Sequence, residues 1–541
     1  MPQGTRIPVF LFALFTLAFG CTEAPRQPHD TGLQADISAD AHSDIQDNVP
    51  SDAGHDGPMD ATVDAGSETT EIPDGVITDG VITDGIKQDP LPGSQYLEPV
   101  TLPACDTSNP KVFLISKAAD WKHINDTAYR VFCVKPGDYR SIGNISLTVS
   151  GTKNAPRVIR HAAADTGATS HPATMSVSEQ AIVRGFQFNV ASYWVIDRLS
   201  TSGPASPAVV RMSTGSTHNI LNRMRIEDMG YGVRMVTGAD YNVVQRCLIG
   251  NMRIHKGTDA TCIENAGDHV RGTKVIQNEI YNCNDGIHLV GPKAGGRSYP
   301  DTILAGNQIY LTNTLYSDCK GNRSPSGDCA CAENAFDIKV GSKEKAHPVL
   351  ITENIMWGYR RTDTLCGGSG DVGTLGVAHF DVQNLIISKN VFYDSPRGVT
   401  IADCGLAICS DITFEGNTFH SMRKNAVDKY SGSALFIYAD RVRLENNLFV
   451  RNTSSVRRLG GMNGTLLHNV FISNGPGGTI DPTTNADYNR YYDTPQLGVK
   501  GPHDDVQASA AKSGFTPHCF DVRPWTKPGT LCLDFVKPPT P

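Results

Sequence analysis

The feature that most constrains this chain is a short motif that recurs along its second half. An apolar or β-branched run leads into an asparagine, and an apolar residue follows two positions later. The clearest copies are VIQNEI (275–280), ILAGNQI (303–309), LITENIM (350–356), LIISKNVF (385–392), ITFEGNTF (412–419), VRLENNLF (442–449) and LLHNVF (466–471). Weaker copies are ILNRMRI (220–226) and VVQRCLI (243–249). Repetition on this scale is typical of a solenoid.

Each copy is too short for a helix and has the composition of a strand. One such coil cannot bury its own apolar side, so successive coils must stack. The repeated asparagines can then hydrogen-bond along the stack and satisfy buried amides. They are Asn278, Asn307, Asn354, Asn390, Asn417, Asn447 and Asn469. We therefore predict an all-β fold, a right-handed parallel β-helix with an asparagine ladder and capped ends, over residues 181–475. A Greek-key sandwich is the alternative, but hairpin signals such as Asn-Gly are too few.

The beginning of the chain predicts export. Arg6 precedes the apolar run VFLFALFTLAF (9–19), which is too short to span a bilayer comfortably and is typical of a secretory signal. The run ends in Ala18-Phe19-Gly20-Cys21, which resembles a bacterial lipoprotein box with Ala18 in place of the usual leucine. We predict a signal peptide over 1–20 and a membrane tether through a lipidated Cys21. The protein would be an outer-membrane or cell-surface lipoprotein, and without lipidation it would be secreted.

Residues 21–95 form an aspartate-rich segment of low complexity. Residues 22–90 carry a net charge of −14 and few aromatic residues, which predicts a disordered, extended linker. A calcium-binding repeat is the alternative, but the ligand spacing of a known calcium loop is missing. The overall charge is −8, so the linker and the +1 of residues 1–21 leave +5 for residues 91–541. This mild excess is a weak indication of a polyanionic partner.

Two further regions flank the predicted repeats. Residues 96–180, with VFCVKPGDY (131–139) and SGTKNAPRVIRH (150–161), resemble the opening coils of β-helix enzymes that act on polysaccharides. We predict an N-terminal cap and the first coils there, and a C-terminal cap over 476–541. Such caps protect open coil edges from aggregation.

Fourteen cysteines are consistent with an oxidising environment. With Cys21 lipidated, thirteen remain, so at least one lacks an intrachain partner. We predict the local pairs Cys105–Cys133, Cys404–Cys409 and Cys519–Cys532. Disulfides that staple long loops are predicted for Cys319, Cys329, Cys331 and Cys366. A zinc site at Cys329-Ala330-Cys331 is the alternative, but no second ligand pair accompanies it.

A second strand is predicted in each coil, and its outward side chains form columns. Strand alternation turns every second side chain outward, and stacking aligns these side chains. The first column holds Arg211, Arg234, His288, Asp337, His379, Thr400 and Phe436. The second, two residues further on, holds Lys339, Asp381, Ala402 and Tyr438. One intervening coil contributes Glu264 or His269, depending on its register. An ordinary solvated face is the alternative interpretation.

Two segments of this face, NCNDGIHL (282–289) and ENAFDIKVGS (333–342), resemble β-helix polysaccharide lyases of the pectate lyase-like superfamily. The resemblance covers the repeat region. By analogy with its calcium- and lysine-dependent members, it implies that Asp285, Asp337 and Asp381 hold Ca²⁺ and that Lys339 is the base. Asn284 stands where some of these families have a first aspartate of Asp-Asp-Gly. The Gly-His-Gly and Arg-Ile-Lys signatures of polygalacturonases are absent.

The implied reaction is β-elimination at a uronic acid. The base removes the C5 proton once Ca²⁺ or an arginine neutralises the adjacent carboxylate. Arg211 and Arg234 would bind carboxylates or sulfates, and Phe436 and Tyr438 would stack on sugar rings.

The role of Lys339 as base meets an objection. Flanking aspartates raise the pKa of a lysine, which is unfavourable for a base unless Ca²⁺ compensates their charge. Without the metal, His288 and His379 are the better candidates for base or proton donor.

Two other functions remain open. A hydrolase, or an epimerase on the same fold, could use Asp337 and Asp381, whose expected diagonal separation of roughly 8 Å suits an inverting glycosidase. A surface β-helix could also bind glycans without cutting them. We predict an acidic polysaccharide as the partner, no nucleic acid partner, and a monomer.

Overall fold

The computed structural model describes residues 91–165, 175–202, 210–228, 230–252, 260–291, 296–312, 333–359, 374–402, 404, 409–424, 431–461 and 463–507. These residues form a right-handed parallel β-helix with three parallel sheets, which confirms the predicted fold class. None of the helices in these ranges has the length and apolar character needed to cross a membrane. The predicted signal peptide, Cys21 and the linker up to residue 90 lie outside the described residues.

Each complete coil contributes three short strands, one to each sheet, in the chain order sheet 1, sheet 2, sheet 3. Sheet 1 has 12 strands: Asn144–Leu147, Gly185–Phe188, Val210–Met212, Tyr231–Met235, Thr261–Asn265, Asp285–Leu289, Asn334–Val340, Thr374–Asp381, Arg397–Ile401, Ser433–Tyr438, Ser454–Gly460 and Thr479–Ile480.

Sheet 2 has 14 strands: Val112–Ile115, Val131–Val134, Arg157–His161, Trp194–Asp197, Ile220–Asn222, Val243–Gln245, Lys274–Ile276, Ile303–Ala305, Val349–Thr352, Gln383–Ser388, Ser410–Glu415, Asp440–Glu445, Thr465–Leu467 and Asn485–Asp487.

Sheet 3 also has 14 strands: Gly137–Asp138, Ala181–Val183, Ser200–Thr201, Arg225–Glu227, Leu248–Gly250, Glu279–Tyr281, Gln308–Tyr310, Ile355–Trp357, Val391–Tyr393, Thr418–His420, Leu448–Val450, Val470–Ile472, Arg490–Tyr492 and Asp505–Gln507.

The repeated motif is therefore not one strand but two, with a sharp corner between sheets 2 and 3. The residue before each ladder asparagine has a left-handed backbone, with φ of 54° at Gln277 and 58° at Glu353. That conformation is unfavourable for residues other than glycine. The asparagine that follows compensates by making hydrogen bonds that hold the corner.

The predicted asparagine ladder runs along this corner. The amide Nδ2 of Asn278 donates to Oδ1 of Asn307 at 2.9 Å and to the Val244 carbonyl at 2.9 Å. Equivalent contacts continue coil by coil to Asn489 and end on Asp504. The buried amides are satisfied in this way by groups of the neighbouring coils.

Cys247 occupies the ladder position one coil before Asn278. Its backbone N–H donates to Oδ1 of Asn278 at 2.9 Å, and its Sγ accepts from the Met224 N–H at 3.4 Å. The thiol is buried and, within the described part of the chain, is a free cysteine. Burial raises its pKa to about 12, so it remains a neutral thiol.

One continuous apolar core fills the interior between the three sheets. Stacked phenylalanines from successive coils form part of it, with Phe392, Phe419, Phe449 and Phe471 at centroid distances of 4.8–5.2 Å. Such columns arise because equivalent positions of neighbouring coils lie one strand spacing apart.

A 3₁₀ helix closes the first end of this core. In Ala118–His123, Trp121 packs edge-on against Tyr139 and Phe186. The other short 3₁₀ helices are Ser94–Tyr96, Arg140–Ile142, Ala162–Asp165 and Val177–Glu179.

At the other end, strands continue to Gln507. The coils therefore extend past residue 475, where we predicted the C-terminal cap to begin. Asn489 and Asp504 prolong the ladder beyond that boundary. Residues 508–541, including Cys519 and Cys532, lie outside the described residues.

Residues 91–105 form a strap along the outside of sheet 2. Gly93 N donates to Glu353 Oε2 at 2.6 Å, and Glu98 N donates to Gln245 Oε1 at 3.0 Å. The strap ends at the Cys105–Cys133 disulfide, and it covers a second, smaller apolar cluster. The sequence did not indicate this arrangement, because the strap contacts coils up to about 260 residues away.

Three disulfides occur in the described residues. Cys105–Cys133 and Cys404–Cys409 confirm two predicted pairs. Cys262–Cys283 is a third pair that we did not predict. The predicted loop cysteines at 319, 329, 331 and 366 lie outside the described residues.

Candidate active site

The outward column predicted on sheet 1 exists, with two differences. Successive register partners along it are Arg211, Arg234, Glu264, His288, Asp337, Val377, Thr400 and Phe436. Glu264 rather than His269 therefore occupies the coil whose register was ambiguous. Seven strand spacings separate the ends of this list, which gives a face of about 34 Å. That length suits an extended polymer.

The second difference is that Val377, two residues before His379, is the register partner of Asp337. Ile338 pairs with Ala378, but the next pair is Val340 with Asp381, so one extra residue lies in the later strand. The extra residue is accommodated at Phe380, where φ is 69°. Our alignment of His379 with Asp337 was therefore wrong by two residues before the bulge, and that of Asp381 with Lys339 was wrong by one residue after it. The His379 side chain nevertheless contacts Asp337 in the neighbouring coil.

Asp285 reaches the same outer face by a second irregularity. A side chain at Gly286 would lie 2.6 Å from Cγ2 of the core residue Ile309, so position 286 faces the interior. Ile287 also belongs to the core. Two successive inward positions place Asp285 and His288 on the same outer side, which simple alternation does not predict.

Asp337 is the centre of the cluster. Its Oδ1 accepts a hydrogen bond from Nε2 of His379 at 3.1 Å, and its Oδ2 lies 3.2 Å from Nζ of Lys339. Nε2 of His288 lies 3.6 Å from the same Oδ2. An ionised carboxylate only accepts hydrogen bonds, so Nε2 of His379 is the donor, and Nδ1 has the lone pair when the ring is neutral.

The two buried carboxylates differ in pKa. Burial, together with the charges of Glu333 and Asp337, raises the pKa of Asp285 well above its ordinary value. Burial alone would also raise the pKa of Asp337, but the hydrogen bond from His379 and the charge of Lys339 lower it. Asp337 is therefore the ionised member of the pair.

Lys339 and His288 have pKa values shifted in opposite directions. Burial alone would lower the pKa of Lys339, but Asp337 and Asp285 outweigh burial and raise it. Lys339 is therefore a cation, as expected for a lysine flanked by aspartates. Burial lowers the pKa of His288 to about 4, so this imidazole is neutral near pH 7. Within the described residues neither ring nitrogen of His288 has a hydrogen-bond partner.

The candidate groups differ in their exposure. Asp285 and His288 are 3% and 5% exposed, and the side chain of Asp337 is 4% exposed. The side chains of His379 and Lys339 are 20% and 27% exposed. A polymer lying on sheet 1 would therefore meet His379 and Lys339, with the carboxylates beneath them.

The donors at the centre of the site do not match Ca²⁺. Asp285, His288 and Asp337 each have a ligand atom within 4.8 Å of the others. Ca²⁺ prefers six to eight oxygen ligands, whereas this set includes an imidazole and a carboxylate already paired with Lys339. Asp381, the third predicted ligand, lies apart from the set and pairs with Lys343 at 3.7 Å.

The predicted substrate-binding residues lie towards the two ends of the column. Nε of Arg234 is 2.5 Å from Glu264 Oε2, and its guanidinium lies 4.8 Å from the centre of the Tyr231 ring. Arg211 is exposed in the neighbouring coil. At the other end Phe436 is half-buried and Tyr438 is 49% exposed. Neither group contacts the Asp337 cluster directly.

Two features of the site were missed from the sequence. Glu264, in the coil of ambiguous register, forms an ion pair with an arginine that we expected to bind substrate. Phe380 was assigned no role, because strict alternation left it no outward position. Gly286 was the signal in the sequence that Asp285 faces outward, because the position after Asp285 faces the interior and has no room for a side chain.

No protein-family profile and no curated protein sequence matches this chain. Among solved structures, the chain is similar to the catalytic domain of a GH87 alpha-1,3-glucanase in complex with tetrasaccharides, at 10% identity and a TM-score of 0.36, with 76% of this chain and 71% of that chain covered. It is also similar to an alginate lyase from a Paenibacillus species, at 13% identity and a TM-score of 0.31, with 69% and 99% covered.

A third similarity is to a PL6 family alginate lyase, at 12% identity and a TM-score of 0.43. This similarity covers 73% of the present chain and about half, 53%, of the lyase. At these identities and scores, none of the three similarities decides the substrate or the chemistry.

Proposed function

We propose that this protein is a polysaccharide lyase that cleaves a uronic acid-containing polymer by β-elimination. His379 is the base in this proposal, and Lys339 is the cation that neutralises the uronate. The observation that carries it is the layering of the site. The imidazole and the ammonium are within reach of a polymer, whereas the carboxylates of Asp285 and Asp337 are buried beneath them.

The reaction balances with these groups alone. Lys339 pairs with the carboxylate at C5, which makes the C5 proton more acidic and stabilises the enolate-like intermediate. Nδ1 of His379 takes that proton, and the electrons of the C5–H bond form the C4=C5 double bond. The C4–O bond breaks, and the leaving oxygen takes a proton from the imidazolium or from water.

Asp337 supports both groups in this scheme. Its hydrogen bond fixes the tautomer of His379, and its charge keeps Lys339 protonated. The roles differ from those expected by resemblance, where Lys339 was the base. A raised pKa is unfavourable for a base, and it is the property required of a neutralising cation. No step uses Ca²⁺, because the donor set does not fit that ion.

A glycoside hydrolase is the second candidate. The pKa of Asp285 is raised and that of Asp337 is lowered, and their oxygens lie within 4.8 Å. Opposite shifts in a close pair are typical of an acid and a base. The separation is below the range of about 6.5–9.5 Å for inverting enzymes and closer to that of retaining ones. Burial of both carboxylates favours the lyase.

The test uses the full chain on pectate, alginate and glycosaminoglycan polymers, each with and without chelator. Unsaturated uronate absorbance would indicate a lyase, new reducing ends without it a hydrolase, and retention without product a glycan-binding protein. We expect His379→Ala and Lys339→Ala to abolish release of unsaturated product. Lys343→Ala is the matched control, because Lys343 is exposed and pairs with Asp381 outside the cluster. Full activity of His379→Ala would refute the assignment of the base.

We also propose that the protein is exported, tethered through a lipidated Cys21, and monomeric. This proposal rests on the sequence of residues 1–21. A labelled fatty acid should be incorporated into the chain in a bacterial host, and Cys21→Ser should prevent incorporation. Equal labelling of both chains would refute the tether.

A further inference from the structure

Phe380 is an exposed aromatic residue beside the proposed base. Phe380 is 41% exposed, and the centre of its ring lies 4.3 Å from the centre of the His379 ring. A Cβ placed on Gly291 would lie 3.4 Å from Cδ2 of Phe380 and 3.0 Å from Cβ of Lys339. The ring therefore extends over the strand that carries Lys339, and Gly291 leaves the space that both side chains use.

The backbone at Phe380 is unfavourable. Its φ of 69° is in the left-handed region, which is a genuine outlier for a bulky residue. Such a backbone persists only where the surrounding structure imposes it. The bulge at this residue places Asp381 opposite Val340, one residue beyond Lys339. The same irregularity thus exposes an apolar ring next to the two groups that a polymer would meet.

An exposed apolar ring at this place suits a sugar. Aromatic rings supply a rigid apolar surface, and the C–H face of a pyranose is apolar while its hydroxyl and carboxylate groups remain solvated or paired. Neighbouring coils are about 4.8 Å apart, so a polymer running along sheet 1 presents adjacent sugars to adjacent coils. Phe380 and His379 belong to one strand, but the Phe380 ring extends towards Gly291, two strands away, and so can contact a different sugar from the one that His379 attacks.

We propose that Phe380 is a sugar-stacking residue that binds the pyranose next to the uronate attacked by His379. This inference deepens the proposed function and rests on it. It assigns a binding subsite at the centre of the face, between the arginine end and the Phe436–Tyr438 end. The role is to hold the polymer in place and not to move a proton.

The kinetic test compares Phe380→Ala with Phe380→Tyr on the polymer that the wild type cleaves. Alanine keeps the positive-φ backbone cost and removes only the ring. We expect KM to rise about tenfold, which corresponds to ~1.4 kcal/mol, with kcat changed by less than about twofold, because stacking of this kind binds substrate and transition state equally. Tyrosine should restore KM. An unchanged KM, or a lower kcat at unchanged KM, would overturn the proposal.

A binding test separates this proposal from the proposed reaction. Native gels cast with polygalacturonate, alginate or hyaluronan measure retardation without requiring cleavage. Phe380→Ala should be retarded less than the wild type on the polymer that retards the wild type. Tyr488→Ala is the matched control, since Tyr488 is 48% exposed, has a φ of 58°, and lies at a corner remote from sheet 1. Equal retardation of wild type and Phe380→Ala, or equal loss in both variants, would refute stacking. A wild type that is retarded but releases no product would refute the lyase assignment alone.

Discussion

Replacing Asp337 with asparagine removes the one ionised carboxylate on which the proposed site depends. The amide keeps the size and shape of the side chain, so packing should be preserved. It deprives Lys339 of its ion-pair partner and leaves His379 without a fixed acceptor for Nε2–H. Stability and activity should therefore both decrease, for the same physical reason.

The cost in stability follows from burial. Breaking a buried ion pair by removing one partner typically costs about 3–5 kcal/mol. Lys339 is 27% exposed, so the ammonium regains some hydration, and we expect the lower end, about 3 kcal/mol. The matched control is Asp381→Asn. Asp381 also pairs with a lysine, but its side chain is 24% exposed, its partner Lys343 is 43% exposed and the distance is 3.7 Å. Such a surface pair contributes about 0–1 kcal/mol.

The assay is urea unfolding of wild type, Asp337→Asn and Asp381→Asn, with activity measured on the same preparations. Because the pKa of Asp337 is lowered in the folded state, its stabilisation is fully present above the unfolded value of about 3.9. It is lost as the pH falls through the folded pKa, so the difference between wild type and Asp337→Asn should shrink there. We expect kcat to fall at least ~100-fold. Equal stability of the two variants at pH 7 would refute the role of Asp337 as a buried ionic centre.

Three further predictions concern single substitutions. Asp285→Asn should stabilise the protein increasingly as pH rises above about 4, because a raised folded pKa makes the wild type lose stability over that range. It should retain lyase activity, and loss of activity with intact folding would favour the hydrolase. Asn417→Ala should cost about 3 kcal/mol in urea unfolding, because it leaves buried ladder groups unpaired. Cys247→Asn should raise the free energy of unfolding by about 1 kcal/mol, and with it the urea midpoint, since an amide there can donate to Asn278 and extend the ladder. A lower midpoint would show that position 247 is not equivalent to the ladder positions.

The architecture could be predicted from the sequence because its determinants recur once per coil. The asparagine of each repeat makes the same contacts in every coil, so each of the seven copies independently predicts the same coil structure. The prediction was less accurate for the motif itself, which is two strands and a corner. Gln277 and Glu353 adopt the left-handed conformation at this corner, although neither glutamine nor glutamate predicts it.

The residues of the candidate site were mostly visible in the sequence, but their arrangement was not. Alternation identified Asp337, Lys339 and His288 as outward. It placed His379 and Asp381 wrongly, because a register error of two residues preserves the alternation of outward side chains and so leaves the pattern unchanged.

The sequence by itself thus determined the parallel β-helix, its ladder and the outward face on which the candidate residues lie. These follow from local patterns that repeat at every turn of the solenoid. The tertiary structure alone decided that Asp337 lies buried beneath His379 and Lys339, that Asp381 pairs elsewhere, and that the strap of residues 91–105 covers sheet 2. Such features depend on the register between coils and on contacts between distant segments. The alternation of side chains does not fix that register, and the bulge after Ala378 shifts it by a further residue.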